Sequence, residues 1–222
     1  MSIAPGSLRA ATAAVLFGVL SPAVARADRG LATTATALPA DRGGAIVGLK
    51  LGGLFAQPFS ALSGSYYLEV EGGYLLPFVR RLLSITASVG FAAPPVNGSG
   101  ADPRLPGGGY SYSVDQRQLS FGLTASARIP LGRFVPYVGV GPRLFLVRTG
   151  SSAQTTQGVA IAETRETSTE IGLGVPLGLD VLLGPGRLFA EGQILWSAVA
   201  QRSTGESNLG ALTLSAGYRL VL

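Results

Sequence analysis

The stretch Leu212-Thr213-Leu214-Ser215-Ala216-Gly217-Tyr218-Arg219-Leu220-Val221-Leu222 decides how the rest of the chain is read. Side chains of an extended strand alternate between two faces. Leu212, Leu214, Ala216, Tyr218, Leu220 and Leu222 therefore share one face, and Thr213, Ser215, Gly217, Arg219 and Val221 share the other. One face is apolar up to the last residue. Chain ends of soluble domains ordinarily fray into water, so this pattern is expected where a strand borders hydrocarbon instead.

The composition points the same way. Only 13% of residues are charged, against about 25% in an ordinary soluble domain, so the supply for a wet exterior is half the usual. Beyond the first 30 positions no apolar run reaches the roughly 18 residues that a spanning helix needs. Open strand edges cannot be satisfied in hydrocarbon, so a strand-built membrane protein must close into a barrel. The expected fold is all-β, an eight-stranded antiparallel up-and-down transmembrane β-barrel.

Residues 1–27 fit a secretory signal peptide: Arg9 precedes a small and apolar run ending near Leu20, Pro22 breaks it, and Ala25-Arg26-Ala27 supplies a small-x-small cleavage site. Residues 28–43 are rich in Thr and Ala without alternation and are expected to be a flexible periplasmic lead-in. The barrel is expected over 44–222. Removing Arg9 and Arg26 from the 17 basic residues leaves 15 against 12 acidic ones, a net of +3, too mild to suggest nucleic acid. With no Cys in the chain, neither a disulfide nor a lipoprotein anchor is expected.

From Ala45 the hydrophobic period is two. The first strand sets Val47, Leu49 and Leu51 against Gly48, Lys50 and Gly52, and the second sets Tyr66, Leu68, Val70 and Tyr74 against Tyr67, Glu69 and Glu71. Six further strands follow the same rule, the best being Ile171, Leu173, Val175, Leu177 and Leu179 against Gly172, Gly174, Pro176, Gly178 and Asp180. Pro136 and Pro142 in the fifth suggest bulges. The connections at 57–65, 93–116, 149–169 and 201–208 are long; those at 77–81, 130–133 and 184–186 are short. Long and short alternate strictly, as they do when all long loops lie on one side of a membrane. The outward aromatics fall near strand ends: Phe55, Tyr66, Phe91, Phe121 and Trp196 toward the long loops, and Tyr74, Phe134 and Tyr218 toward the turns. The eight residues from Tyr66 to Tyr74 rise roughly 20 Å at a tilt near 40°, so the two sets are expected to form aromatic girdles.

Pooling the inward faces gives Lys50, Arg128, Arg143 and Arg219 against Glu69, Glu71, Asp180 and Glu191. The interior of an eight-stranded barrel is only wide enough for side chains to fill it, and charges there persist only when paired. A lumen filled by an ion-pair network is therefore expected. Two other readings stay open. Inward glycines leave volume through which a narrow pore or a small hydrophobic-solute channel could run, and a secreted soluble ligand-binding β-barrel would turn the apolar face inward. Glu69 and Glu71 form an i, i+2 carboxylate pair, but with basic partners available the pattern is weak for catalysis. The chain has no His, which removes the ordinary general base and His-ligated metal chemistry. No enzyme activity, cofactor or metal is expected. The charged loop residues Asp102, Arg104, Asp115, Arg117, Glu163, Arg165, Glu166 and Glu170 are expected in solvent.

The final eight residues, Ser215-Ala216-Gly217-Tyr218-Arg219-Leu220-Val221-Leu222, resemble the C-terminal assembly signal of bacterial outer-membrane barrels. In that signal a polar residue is followed by Gly two places on and then by alternating hydrophobic residues. Ser215, Gly217, Tyr218, Leu220 and Leu222 occupy its positions; the family usually ends in Phe, and this chain ends in Leu. From about Ala45 onward the chain resembles the small eight-stranded outer-membrane barrels, the class holding the transmembrane domain of outer membrane protein A and its X and W relatives. The resemblance implies the outer membrane of a Gram-negative bacterium, both chain ends in the periplasm, and a structural, envelope-integrity or surface-interaction role. It implies outer-membrane lipid, lipopolysaccharide and the barrel-assembly machinery as partners, and names no extracellular one. The tethering role of the A type is not implied, since no peptidoglycan-binding domain is expected.

Overall fold

The computed structural model describes residues 44–56, 62–77, 82–199 and 208–222. The expected signal peptide (1–27) and lead-in (28–43) lie outside the described residues, as do parts of the connections at 57–65, 77–81 and 201–208. The described chain forms nine strands: β1 (Gly44–Phe55), β2 (Ser65–Leu75), β3 (Leu83–Ala92), β4 (Pro95–Ala101), β5 (Gly109–Arg128), β6 (Phe134–Thr155), β7 (Ala160–Leu183), β8 (Gly186–Trp196) and β9 (Ala211–Val221).

Eight of them close a ring. β1 pairs with β2 on one side and β9 on the other, β2 pairs with β3, and each of β5 to β8 pairs with its successor. The ring is completed where β3 pairs with β5, from Leu83↔Ala127 to Ala92↔Gln118. β4 stands outside it, paired with the first part of β5 from Pro95↔Asp115 to Ala101↔Gly109. All pairs are antiparallel, and the closed ring leaves no open edge. The start of β1 and the end of β9 meet at one rim: Ala45 N donates to Leu222 O at 3.0 Å and Leu222 N to Ala45 O at 2.9 Å.

The period-two pattern is realised as a wall with two unlike faces. Val47, Leu177 and Ile171 are 50%, 65% and 76% exposed on the outside, while Lys50, Glu69 and Asp180 are 4%, 1% and 0% exposed on the inside. A water-soluble barrel with its larger apolar side chains packed inward is thereby excluded: the greasy face looks out and the charged face looks in.

Two stretches differ from the sequence reading. Residues 93–116 hold β4 and the start of β5, and 149–169 hold the end of β6 and the start of β7; neither is an irregular loop. Beyond the apolar belt both faces of a strand meet water, so alternation fades while backbone pairing continues unbroken from Leu119↔Leu146 to Tyr110↔Thr155. Hydrophobic periodicity cannot detect such a strand, although β-favouring Tyr110, Tyr112, Val114 and Thr155 lie along it. The bulges suggested at Pro136 and Pro142 are likewise absent, because the β6–β7 register is the same at both (Pro136↔Leu179, Pro142↔Leu173) and shifts instead between Ala153 and Gln154. In strands tied to a neighbour on each side, the prolines leave gaps in the ladder and the register carries across them.

The aromatics fall at two levels. Tyr66 and Phe91 sit near the long-connection rim with ring centroids 6.0 Å apart, and Phe55 and Trp196 end β1 and β8 on that side. Phe121 lies a rung nearer the middle, opposite Val89, whereas Phe91 faces Leu119. Tyr74, Phe134 and Tyr218 lie at the other rim, where the Tyr218 hydroxyl donates to Leu183 O at 3.1 Å. Positive φ marks the short turns there, at Gly132 (65°) and Gly184 (60°), a backbone that glycine adopts without a Cβ penalty.

Candidate functional site: the barrel lumen

Each expected lumen residue arrives from a different part of the wall. Lys50 comes from β1, Glu69 and Glu71 from β2, Arg128 from β5, Arg143 from β6, Asp180 from β7, Glu191 from β8 and Arg219 from β9. All eight are at most 5% exposed. Lys50 Nζ meets three carboxylates, Glu69 Oε1 at 2.8 Å, Glu71 Oε2 at 3.1 Å and Glu191 Oε1 at 2.7 Å. Arg219 also meets three: its Nε and Nη2 hold Glu71, Nη1 reaches Asp180 Oδ1 at 2.7 Å, and Nη2 reaches Glu191 Oε2 at 3.2 Å. Arg143 Nη2 lies 2.7 Å from Glu69 Oε2, and Arg128 Nη1 lies 2.5 Å from Asp180 Oδ2.

Three residues outside the expected set belong to this cluster. Arg187 Nη1 sits 3.5 Å from Asp180 Oδ2, so five cations face four carboxylates. Its position was readable, because 187 shares the inward phase of Glu191 and Gln193, but it borders the Gly184-Pro185-Gly186 turn. The Tyr67 hydroxyl donates to Glu69 and accepts from Arg143 Nη1 at 3.1 Å. The Tyr137 hydroxyl donates to Glu191 Oε2 at 2.6 Å, and its ring lies under the guanidinium carbons of Arg219 and Arg128 at 4.7 and 5.0 Å. β3 adds small hydroxyls: Ser84 accepts from Arg128 Nε at 3.0 Å and Ser88 from Arg143 Nη2 at 3.4 Å. Replacing Tyr137 with Phe keeps the ring and removes the donor to a charged acceptor, which is expected to cost about 1.5–3 kcal/mol, read as a lower urea midpoint of the folded barrel.

Toward the long connections the lumen changes character. Leu54, Leu62, Phe145, Val147, Leu195 and Leu209 pack into a buried apolar layer with Tyr67, Val114 and Val199. Phe145 and Val147 follow Arg143 on its own inward phase, as Leu195 follows Glu191. Leu62, Val199 and Leu209 come from the connections rather than the wall, so the ends of two loops turn inward and cover the charges. The space left among Lys50, Glu69, Glu71, Arg143 and Arg219 is about 10 Å³, and a single buried water needs about 10–15 Å³.

A closed antiparallel ring of eight strands, polar within and apolar without, defines a β-barrel shaped for a hydrocarbon layer. Its fold is that of the small eight-stranded outer-membrane barrels. It is similar to a major outer membrane protein from Thermus thermophilus, with a TM-score of 0.52 at 16% identity, covering 81% of this chain and 99% of that one. Neisserial surface protein A superposes with a TM-score of 0.49 at 18% identity over 80% of this chain and 96% of its own. The N-terminal β-barrel domain of OprF from Pseudomonas aeruginosa gives 0.47 at 12% identity, over 81% and 99%. The first of these carries the assignment, and it concerns the fold alone. No protein-family model and no curated protein matches the chain.

Proposed function

We propose that the protein is a non-enzymatic, sealed barrel of a bacterial outer membrane with a structural, envelope-integrity or surface-interaction role. The observation that carries this reading is the filled lumen: side chains leave about 10 Å³ among the charges, and an apolar layer lies above them. Ions need a continuous wetted path, and both layers oppose one. The chain has neither His nor Cys, and Lys50 is tied to three carboxylates, so the usual nucleophiles and bases are missing or occupied. The start of β1, the end of β9 and the turns at 130–133 and 184–186 share one rim, the periplasmic one in this reading, and the paired arms of β4 to β7 stand outside. Outer-membrane lipid and lipopolysaccharide surround the belt, and β9 is the strand offered to the assembly machinery.

Recording from the purified, folded protein in planar bilayers tests the sealed lumen. Silence is expected under voltages at which open porins conduct. Sustained, reproducible conductance steps would replace this reading with the narrow pore.

A further inference from the structure

On the outer face of β5, β6 and β7, just past the apolar belt, two arginines are placed directly against one another. Arg117 is the register partner of Arg148, and neighbours so opposed stand about 5 Å apart at Cβ, where like charges repel. Among the described residues neither guanidinium has an ion-pair partner, whereas Arg165 in the adjoining row is held by Glu163 at 2.9 Å. In that adjoining row Asp115 and Arg165 both face Gly150. A Cβ on Gly150 would meet nothing within 4 Å, so a hollow opens there, about 400 Å³ in volume and lined by Asp115, Arg117, Arg148, Glu163 and Arg165. Three positive charges and two negative ones line it. With Arg165 held by Glu163, the charges left without an ion-pair partner among the described residues are Arg117, Arg148 and Asp115, so the hollow keeps a net charge of +1, with Asp115 in the row of Gly150, one rung beyond the opposed arginines.

The height of the hollow says what fills it. One rung nearer the belt, Leu119 faces Leu146 and also Phe91 of the aromatic level; below these lie Phe121, Leu144 and Ile171, all exposed. A rung of two residues rises about 5 Å on a tilted strand. A molecule whose acyl chains lie on that apolar face thus brings its headgroup to Arg117 and Arg148. We propose that this hollow binds the phosphate of an anionic membrane lipid, the two opposed guanidinia donating to its oxygens and Gly150 leaving room for it. Free phosphate shares the chemistry but lacks the chains, so the lipid is the occupant. The proposal rests on the outer-membrane reading above.

The test measures binding of phosphorylated lipid A, dephosphorylated lipid A and inorganic phosphate to the folded barrel in detergent, by native mass spectrometry. Wild type is expected to favour the phosphorylated lipid by about tenfold or more, the scale of one or two charge-assisted hydrogen bonds. Arg117→Gln with Arg148→Gln should erase that preference, and Lys at both positions should keep most of it. Gly150→Leu, which fills the hollow without touching a charge, should weaken binding of the phosphorylated lipid alone. Equal binding of the two lipids by wild type, or an unchanged preference in the double Gln variant, overturns the site. Inorganic phosphate binding as tightly as the lipid overturns the lipid as occupant. Failure of the wild type to stay folded in cold SDS and shift on boiling would instead sink the membrane reading, whereas a normal shift without phosphate preference sinks only this proposal.

Discussion

Replacing Asp180 with Asn is expected to lower the unfolding free energy of the barrel by about 3–5 kcal/mol, the range for removing one partner of a buried ionic cluster. Asp180 is fully buried and receives Arg128 at 2.5 Å, Arg219 at 2.7 Å and Arg187 at 3.5 Å. Asn fills the same volume and accepts one of those hydrogen bonds, but it leaves Arg128 and Arg187 without a carboxylate partner and takes one of three from Arg219. Five cations would then face three carboxylates. Little water can enter to relieve them, because the space among the neighbouring charges is about 10 Å³, room for a single water at most. The measurement is the urea midpoint of the barrel folded in lipid vesicles. Glu163→Gln serves as the internal comparison: its pair with Arg165 is exposed and should be worth less than about 1 kcal/mol. An Asp180→Asn midpoint matching that of Glu163→Gln would show that the lumen charges do not depend on one another.

The second large effect is expected at Gly217, which the sequence reading assigns to an assembly signal and the structure gives a packing reason. A Cβ at this position would run into the backbone carbonyl of Leu49 on β1 and approach the Phe189 ring to within 2.7 Å. The seam between β1 and β9, from Ile46↔Val221 to Phe55↔Leu212, therefore closes only over a bare backbone. Gly217→Val forces a rigid branched side chain against a carbonyl that cannot move without parting the seam, and overpacking costs about 1–3 kcal/mol even in cores able to relax. Loss of the folded, heat-modifiable band is expected. The informative version is refolding from urea into vesicles without any assembly machinery. A variant that refolds there as well as wild type, yet fails in cells, would return Gly217 to the role of recognition signal alone.

The strand phase was legible because hydrocarbon and a crowded lumen impose opposite demands on alternate residues. Lys50, Glu69 and Glu71 could be placed inward from two short stretches of sequence. What alternation could not reach is equally informative. Arg187 shares the inward phase of Glu191 and Gln193, but as the residue next to the turn it is readily counted with the turn and not with the wall. The apolar layer of Leu54, Phe145, Val147 and Leu195 is hidden because apolar residues follow one another on both faces there, and Leu62, Val199 and Leu209 join it only through the path of the connections. The arms of β5, β6 and β7 carry polar residues on both sides, so the register of their backbone, and with it the meeting of Arg117 and Arg148, needed coordinates.

The ionic contacts of the lumen also constrain how the barrel can come together. Arg143 and Glu69 belong to β6 and β2, on walls that never share a ladder. Arg219 reaches past β1 to Glu71 and past β8 to Asp180. A half-built sheet holding only neighbouring hairpins would carry bare guanidinium and carboxylate groups with most of their partners still distant. Lys50 can meet Glu69 and Glu71 within the β1–β2 hairpin, but Arg143 finds its carboxylate only across the finished ring, so burial of that charge and closure of the wall are expected to go together.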